Sequence, residues 1–172
     1  MKKIHLPLSE KELKNLKAGD EVLISGTIYT ARDAAHQKLC SLIKDNKPLP
    51  LSLDNACFYY TGPTPSKPDM VVGSIGPTSS YRMDKYCETL LNKGLRIMIG
   101  KGERSEDFIN LLPKYGAIYI FAIGGVGALD SQKVKKCELV AYPELGAEAI
   151  YRLEIEDFYG IVYYDALGGR LK

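Results

Sequence analysis

Three short polar segments each follow an apolar stretch and precede a run of residues with helical spacing. They are TARDAAH at 30–36, GSIGPTSSYRMD at 73–84 and IGKGERS at 99–105. Ligands of open α/β sheets bind where strands end and helices begin, because side chains and unpaired backbone N–H groups meet there. The three segments therefore predict a ligand site at one edge of a sheet.

The side chains in these segments favour an anionic ligand. Arg32, Arg82 and Lys101 each stand near the start of an expected helix, and Thr78 precedes Arg82 by four residues. A guanidinium makes paired, charge-assisted bonds to a carboxylate. Three cations and one hydroxyl suit a small dicarboxylate, although no obvious water-activating group accompanies them.

Each segment also fits a purely structural role. Arg32 and Asp33 could be solvated surface residues, with His36 packed beside an apolar helical stripe. The hydroxyls before Arg82 could simply cap a helix, and the glycines around Lys101 could form an ordinary turn. Residue types alone leave these alternatives open.

Metal and nucleotide sites within the chain are not predicted. The cysteines stand far apart, and no C-x-x-C pair or multi-histidine cluster occurs; they are Cys40, Cys57, Cys87 and Cys137. Iron–sulfur clusters need three or four convergent thiolates, so we expect reduced and mostly buried thiols. The glycine turns match neither a P-loop nor G-x-G-x-x-G spacing.

The amino-acid composition is ordinary for a soluble globular domain. Of 172 residues 45% are hydrophobic, and the net charge is only +2, which argues against nucleic acid or an anionic membrane surface. No run of about 18 apolar residues is present, and the N-terminus does not resemble a signal peptide. We therefore expect one domain, residues 1–172, in the cytoplasm.

The periodicity predicts a mixed α/β fold. Ser9 should cap a short helix, 21–30 should be a strand, and 31–46 should contain a helix. Further expected strands lie at 56–60, 71–75, 95–100, 117–125 and 149–165, with helices around 83–91 and after Ser105. Alternating strands and helices favour a parallel layer, and the terminal strands favour an antiparallel element, which together give a three-layer β/β/α arrangement.

The polar segments resemble, in order, signature segments of one enzyme family. They are SGTIYTARDAAHQ (25–37), YTGPTP (60–65), GSIGPTSSYRMD (73–84), IGKG (99–102) and PELGAEAIYRLEIEDF (143–158). This combination resembles the β region of iron–sulfur-dependent class I fumarases and L-tartrate dehydratases. Gln37 stands where a lysine is usual, and Thr78 and Ser79 stand for the family's paired threonines. Residues 124–128 are the counterpart of the family's alanine-rich glycine turn. None of these departures from the family's pattern removes a charged ligand.

The resemblance implies a swivelling β/β/α domain that works with an α subunit or fused α region. That partner would hold a [4Fe–4S] cluster on three cysteines, and the assembly would be a hetero-oligomer. Carried over by position, Arg32, Arg82 and Lys101 bind the substrate carboxylates, and Thr78 takes the C3 proton. Asp33, His36 and Ser79 are expected to support them, with no metal ligand in this chain.

The implied reaction is reversible hydration of fumarate to (S)-malate. Two alternatives stay open: dehydration of L(+)-tartrate to oxaloacetate, and a free-standing dicarboxylate-binding module without catalysis. The substrate is not readable from this chain, because the partner contributes much of the pocket.

Overall fold

A computed structural model describes residues 1–122 and 131–171 of the chain. Seven strands form one mixed sheet: β1 (Lys2–His5), β2 (Glu21–Thr30), β3 (Cys57–Tyr59), β4 (Ile97–Gly100), β5 (Ile118–Phe121), β6 (Val134–Ala141) and β7 (Ile150–Tyr164). The described part of the chain also contains the α-helices α1 (Glu10–Asn15), α2 (Asp33–Lys44), α3 (Asp84–Asn92) and α4 (Glu106–Tyr115). Short 3₁₀ helices occupy Ser80–Met83 and Pro143–Glu148.

Local chemistry sets several of these boundaries. Ser9 begins α1 through a capping box, in which its hydroxyl accepts from the Glu12 N–H and the Glu12 side chain accepts from the Ser9 N–H. Ser105 begins α4 by accepting from the Phe108 N–H at 3.2 Å. Gly116 ends α4 with φ of 69°, a left-handed conformation that glycine adopts without strain. Both caps agree with the predicted helix starts.

Five of the strands close into a ring, and β1 and β6 lie outside it. The strand order is β1-β2-β3-β4-β5-β7-β6, and β7 also pairs with β2. The neighbours from β1 to β5 run parallel, whereas β7 is antiparallel to β2, β5 and β6. Because parallel strands end at the same edge, the chain segments that follow β2, β3 and β4 all leave the sheet on one side.

Alternation along the three central strands divides the hydrophobic residues into two cores. One core fills the ring and includes Tyr59, Ile99 and Ile120, packed with Phe158 of β7. The other core lies under the helices, where Phe58, Met98 and Tyr119 alternate with them and meet side chains of α2, α3 and α4. Helices α2, α3 and α4 therefore pack against the outer face of β3, β4 and β5.

The expected α/β class is confirmed, and so are most of the elements, but the strand expected at 71–75 is wrong. This segment instead packs against the loop after β3. The Thr64 N–H donates to the Ser74 carbonyl at 3.0 Å, and the Ser74 N–H donates to Thr64 Oγ1 at 2.7 Å. Gly73 fits so closely that an added Cβ would lie 2.1 Å from the Thr64 carbonyl oxygen. The parallel position beside β4 belongs to β3 instead.

Two edge strands, β1 and β6, were not predicted. The end of the strand expected at 117–125 and the glycine turn 124–127 fall outside the described residues. None of the helices within 1–122 and 131–171 combines the length and the apolar character needed to cross a membrane.

Candidate active site

The predicted site residues lie at the edge where the parallel strands end. Arg32 follows β2 and Lys101 follows β4, while a long loop after β3 returns to the same edge. The Thr78 N–H in that loop donates to the Tyr60 carbonyl at 2.7 Å. The topology thus brings together three segments that are far apart in the sequence.

Arg32 is held by packing from two other segments. It occupies the N-cap position of α2 and makes no side-chain capping bond. A Cβ added to Gly62 would lie 3.2 Å from Arg32 Cδ, so this glycine allows the loop to cross the arginine closely. Arg32 Nε lies 4.0 Å from Glu148 Oε1, and both atoms are buried without a hydrogen-bond partner among the described residues. Sequence reasoning had singled out neither Gly62 nor Glu148 as a partner of Arg32.

Asp33 connects the start of α2 with Arg82. Its Oδ2 lies 3.6 Å from the Arg82 guanidinium, and both side chains are partly exposed. An exposed ion pair of this kind contributes little free energy, so Arg82 can exchange Asp33 for another carboxylate at low cost. A cleft of about 630 Å³ opens beside the pair, with Tyr81 and Glu103 also in its lining.

His36 is fully buried beneath Arg32. Its Nδ1 lies 2.7 Å from the Arg32 carbonyl, which can only accept, so this nitrogen carries the hydrogen. The ring packs edge-on against Phe58 and Tyr60. Burial lowers the pKa of His36 to about 4, partly offset by the bond to Arg32, and the ring is neutral at pH 7. His36 therefore supports the backbone of Arg32 from within the core.

The segment with Thr78 runs alongside Lys101. Ser79 and Lys101 form a parallel bridge, the Ser80 N–H donates to the Lys101 carbonyl at 3.0 Å, and the Lys101 N–H donates to Ser80 Oγ at 3.0 Å. Gly100 permits this approach, because a Cβ there would lie 1.9 Å from Ser80 Oγ. The Lys101 side chain is exposed and extends from a fixed backbone.

The Thr78 hydroxyl is partly exposed and makes no hydrogen bond to any residue within the described ranges. The 3₁₀ helix begins after Ser79 and α3 begins after Met83, and neither helix has a side-chain capping bond. Thr78 therefore does not cap the helix that follows it, and its hydroxyl is available to a ligand.

The largest omission of the sequence reasoning is Arg104. It follows Lys101 by three residues, and its side chain is completely buried against Asp84. The only sequence signal was its place in the IGKGERS segment, which gives no sign that a guanidinium there turns inward.

The described residues do not fit an iron–sulfur cluster. All four cysteines are free, and no group of three or more His, Cys, Asp or Glu side chains within 1–122 and 131–171 is close enough to hold a metal ion. Burial raises the pKa of the Cys57 and Cys87 thiols, which disfavours the thiolate form that binds iron.

Comparison with known proteins gives two kinds of relative. The anaerobic class I fumarate hydratase of Escherichia coli K12 is 38% identical over 169 residues, which cover 96% of this chain and 31% of that protein. Fumarate hydratase 2 of Leishmania major is 34% identical over 160 residues, covering 92% and 28%. This chain thus spans less than a third of the length of these fumarate hydratases.

A shorter relative matches over most of its own length. The putative L(+)-tartrate dehydratase subunit beta of Methanocaldococcus jannaschii is 38% identical over 156 residues, covering 88% of this chain and 80% of that protein. The family model for the fumarase C-terminus matches residues 1–171. The chain therefore belongs to the fumarase C-terminus family.

Proposed function

We propose that this chain is the β subunit of a two-part, [4Fe–4S]-dependent hydro-lyase that hydrates fumarate reversibly to (S)-malate. Residues 1–172 form a single swivelling β/β/α domain that supplies the residues binding the carboxylates. The observation that carries the proposal is the meeting of Arg32, Thr78 and Lys101 at one sheet edge, in a chain of the fumarase C-terminus family.

The charges at this edge suit a dicarboxylate. Asp33 follows Arg32 in the chain and pairs with Arg82, and Lys101 follows the end of β4. In this proposal one substrate carboxylate displaces the weak contact of Arg82 with Asp33, because a ligand carboxylate can accept two parallel bonds from the guanidinium. Arg32 and Lys101 bind the remaining carboxylate oxygens.

In the dehydration direction Thr78 takes the proton from C3 of malate, and in the hydration direction it delivers that proton to C3. A free threonine hydroxyl is a very weak base, so it can act only as an alkoxide, after its own proton has left to solvent, and only if nearby cations stabilise that form. Lys101 belongs to the segment paired with residues 79 and 80, directly beside Thr78. The hydroxyl has no partner among the described residues, which leaves its lone pairs free to meet a substrate C–H.

The proposal assigns the cluster to an α subunit, because the described residues of this chain do not fit one. The match covers less than a third of the longer fumarate hydratases, whose remaining length has room for a cluster-binding region, separate or fused. The role of this chain is then to bind and orient the dicarboxylate and to move its proton.

L(+)-tartrate is the second candidate substrate. The relative named as a tartrate dehydratase subunit beta is matched over 80% of its length, whereas the fumarate hydratases are matched over about 30% of theirs. Because both substrates are C4 dicarboxylates, the same three cations serve either reaction.

The test is an assay of the assembled enzyme. The chain would be co-expressed with the product of an adjacent reading frame that encodes a cluster-binding partner, purified without oxygen, and assayed with fumarate and with both tartrate enantiomers. We expect hydration of fumarate. Turnover of L(+)-tartrate alone would select the second candidate, and binding of a saturated dicarboxylate such as succinate without any turnover would identify a binding module.

A further inference from the structure

We infer that Arg104 is a positioning residue that acts through Asp84 to hold Arg82 and Lys101 at a fixed spacing. Arg104 follows Lys101 by three residues, and Asp84 follows Arg82 by two. A bond between them therefore connects the two cationic segments directly. Only the kinetic test of this inference depends on the proposed function.

Arg104 lies in an unusually specific environment for a buried cation. Its guanidinium carbon lies 3.6 Å from the centre of the Phe108 ring and 4.9 Å from that of Tyr119. One terminal nitrogen donates to Cys87 Sγ at 3.2 Å and to the Tyr60 hydroxyl at 3.4 Å. Aromatic faces and fixed acceptors on several sides leave the side chain one orientation.

Asp84 links the fixed Arg104 side chain to the segment that contains Arg82. Its Oδ1 accepts from Arg104 Nε at 2.5 Å, and its Oδ2 accepts from the Ser105 N–H at 2.7 Å. Burial opposes the charge of Arg104, but Tyr60, Cys87 and Asp84 outweigh that cost and raise its pKa, so the guanidinium stays protonated. The carboxylate thus fixes the start of α3 to the residues just after Lys101.

A second tie closes the arrangement on its other side. The Tyr119 hydroxyl lies 2.9 Å from both Ser80 Oγ and the Gly102 carbonyl. The segment with Arg82 is therefore held to the segment with Lys101 at two points: Ser80 before the arginine and Asp84 after it. Loosening the Asp84 tie leaves the bonds around Ser79 and Ser80 to hold these two segments together, so both cations should lose their common alignment.

The kinetic test is a double-mutant cycle in the assembled enzyme. Arg104→Lys keeps the charge but lacks the planar fork that reaches Asp84, Cys87 and Tyr60 together. We expect KM for the dicarboxylate to rise about 10-fold or more with kcat within about 3-fold, and we expect the same change to add less than about 3-fold in a Lys101→Ala background. Equal factors in both backgrounds, or an unchanged KM, would overturn the inference.

Arg96→Lys is the matched control. Arg96 is partly buried and bonds two carbonyls, those of Leu91 and Leu95, at the opposite end of α3. It should change KM by less than about 2-fold in either background. If Arg104→Lys does not fold, Asp84→Asn keeps the shape, removes the charge and should show the same dependence on Lys101.

Hydrogen exchange tests the inference without any activity. Amides in 78–84 and 99–105 should exchange about 10-fold faster in the Arg104→Lys chain, while amides in the pairing of β6 with β7 should not change. Acceleration throughout the chain would mean general destabilisation and would overturn the positioning role. If the assembled enzyme acts on no dicarboxylate, the proposed function fails and the exchange result alone decides this inference.

Discussion

Arg32 and Arg82 are fixed by different local means, so their removal should have different consequences for folding. The Arg32 side chain is only 28% exposed and lies beside a buried oxygen of Glu148, whereas that of Arg82 is 43% exposed. Losing Arg32 therefore leaves a carboxylate without its nearest cation. Losing Arg82 releases only a weak surface pair.

Alanine at either position should impair the assembled enzyme severely. A charge-assisted contact to a carboxylate is worth on the order of 2–4 kcal/mol, so kcat/KM should fall roughly 30- to 1000-fold in each variant. Melting temperature should fall clearly only for Arg32→Ala. Arg152→Ala, an exposed arginine paired with Glu154 on β7, is the control and should keep normal kinetics. A folded variant with near-normal kcat/KM would remove that arginine from the site.

Thr78→Val separates proton transfer from binding, because valine keeps the shape and removes the hydroxyl. If Thr78 takes the C3 proton, kcat should fall about 100-fold or more while KM stays within a few-fold. The melting temperature should hardly change, since the hydroxyl caps neither following helix. Ser79→Ala removes the adjacent hydroxyl and should leave kcat within a few-fold. A raised KM with normal kcat would make Thr78 a binding contact only.

His36 should make stability depend on pH. Its pKa is about 4 when folded and 6.5 when exposed, because burial penalises the charged ring. Below pH 6.5 the unfolded chain takes up a proton that the folded chain refuses, so the free energy of unfolding falls between pH 6.5 and about 4 and this contribution then levels off. The full contribution is on the order of 3 kcal/mol.

Comparing urea unfolding at pH 7 and pH 4 checks this contribution. His36→Phe removes the titrating group from an aromatic environment and should lose roughly 3 kcal/mol less stability between the two pH values than the unaltered chain. Equal pH dependence in the altered and the unaltered chain would show that His36 does not stay neutral.

At the level of single residues, the sequence was enough to identify the exposed cations and hydroxyls, but not the residues that hold them in place. Thr78, Arg82 and Lys101 could be found because strand ends and helix starts are visible in the periodicity. Arg104 and Glu148 could not, since their partners Asp84 and Arg32 lie 20 and 116 residues away. Only the folded topology brings such distant charges together.

Among the elements, those with a strong local signal were predicted well and those fixed by pairing were not. β2 is rich in β-branched residues, and α4 has a helical apolar pattern with a serine cap. The structure agrees with both predictions. β6 mixes charged and apolar residues without regular alternation and is held by its pairing with β7. The apolar run 71–75 looked like a strand, but Gly73 and Ser74 are engaged by Thr64 and leave no free edge for pairing.

Gly100 ends β4 at a point where an added side chain would collide with Ser80. A Cβ there would lie 1.9 Å from Ser80 Oγ and 2.9 Å from Tyr60 Cδ2, so Gly100→Ala must push Ser80 away from Lys101. Such overpacking costs on the order of 1–3 kcal/mol, and we expect a lower melting temperature together with reduced kcat/KM. Adding Ser80→Ala removes the closest atom and should recover part of the stability. Full stability of the single variant would contradict the close packing.

For the whole molecule, the closed ring of strands makes the sheet a rigid support for the candidate site. Residues from β2, β3, β4 and β7 share the core inside the ring, so the sheet edge with the cations is supported from one end of the sequence to the other. All the candidate ligands are at this edge. Cations suit the binding of carboxylates but not the activation of water, which agrees with the proposed division of roles between this chain and a partner.

The separation of the cysteines leads to the last prediction. Cys57 belongs to the core inside the ring and Cys87 to the core under the helices, on opposite faces of the central strands. Cys40 makes a contact with the Tyr86 carbonyl near α3, and Cys137 lies on β6. A [4Fe–4S] cluster needs three or four thiolates that converge within one site, and bringing these four together would require the sheet to unfold.

The isolated chain should therefore stay colourless and without hydro-lyase activity when it is treated with iron and sulfide in the absence of oxygen. Visible absorbance, protein-bound iron and turnover of fumarate are the measurements. The same treatment of the chain together with its cluster-binding partner is the positive control and should give a brown, active complex. An isolated chain that turned brown and hydrated fumarate would refute the division of labour, because the cluster would then have to form on thiols that this fold keeps apart.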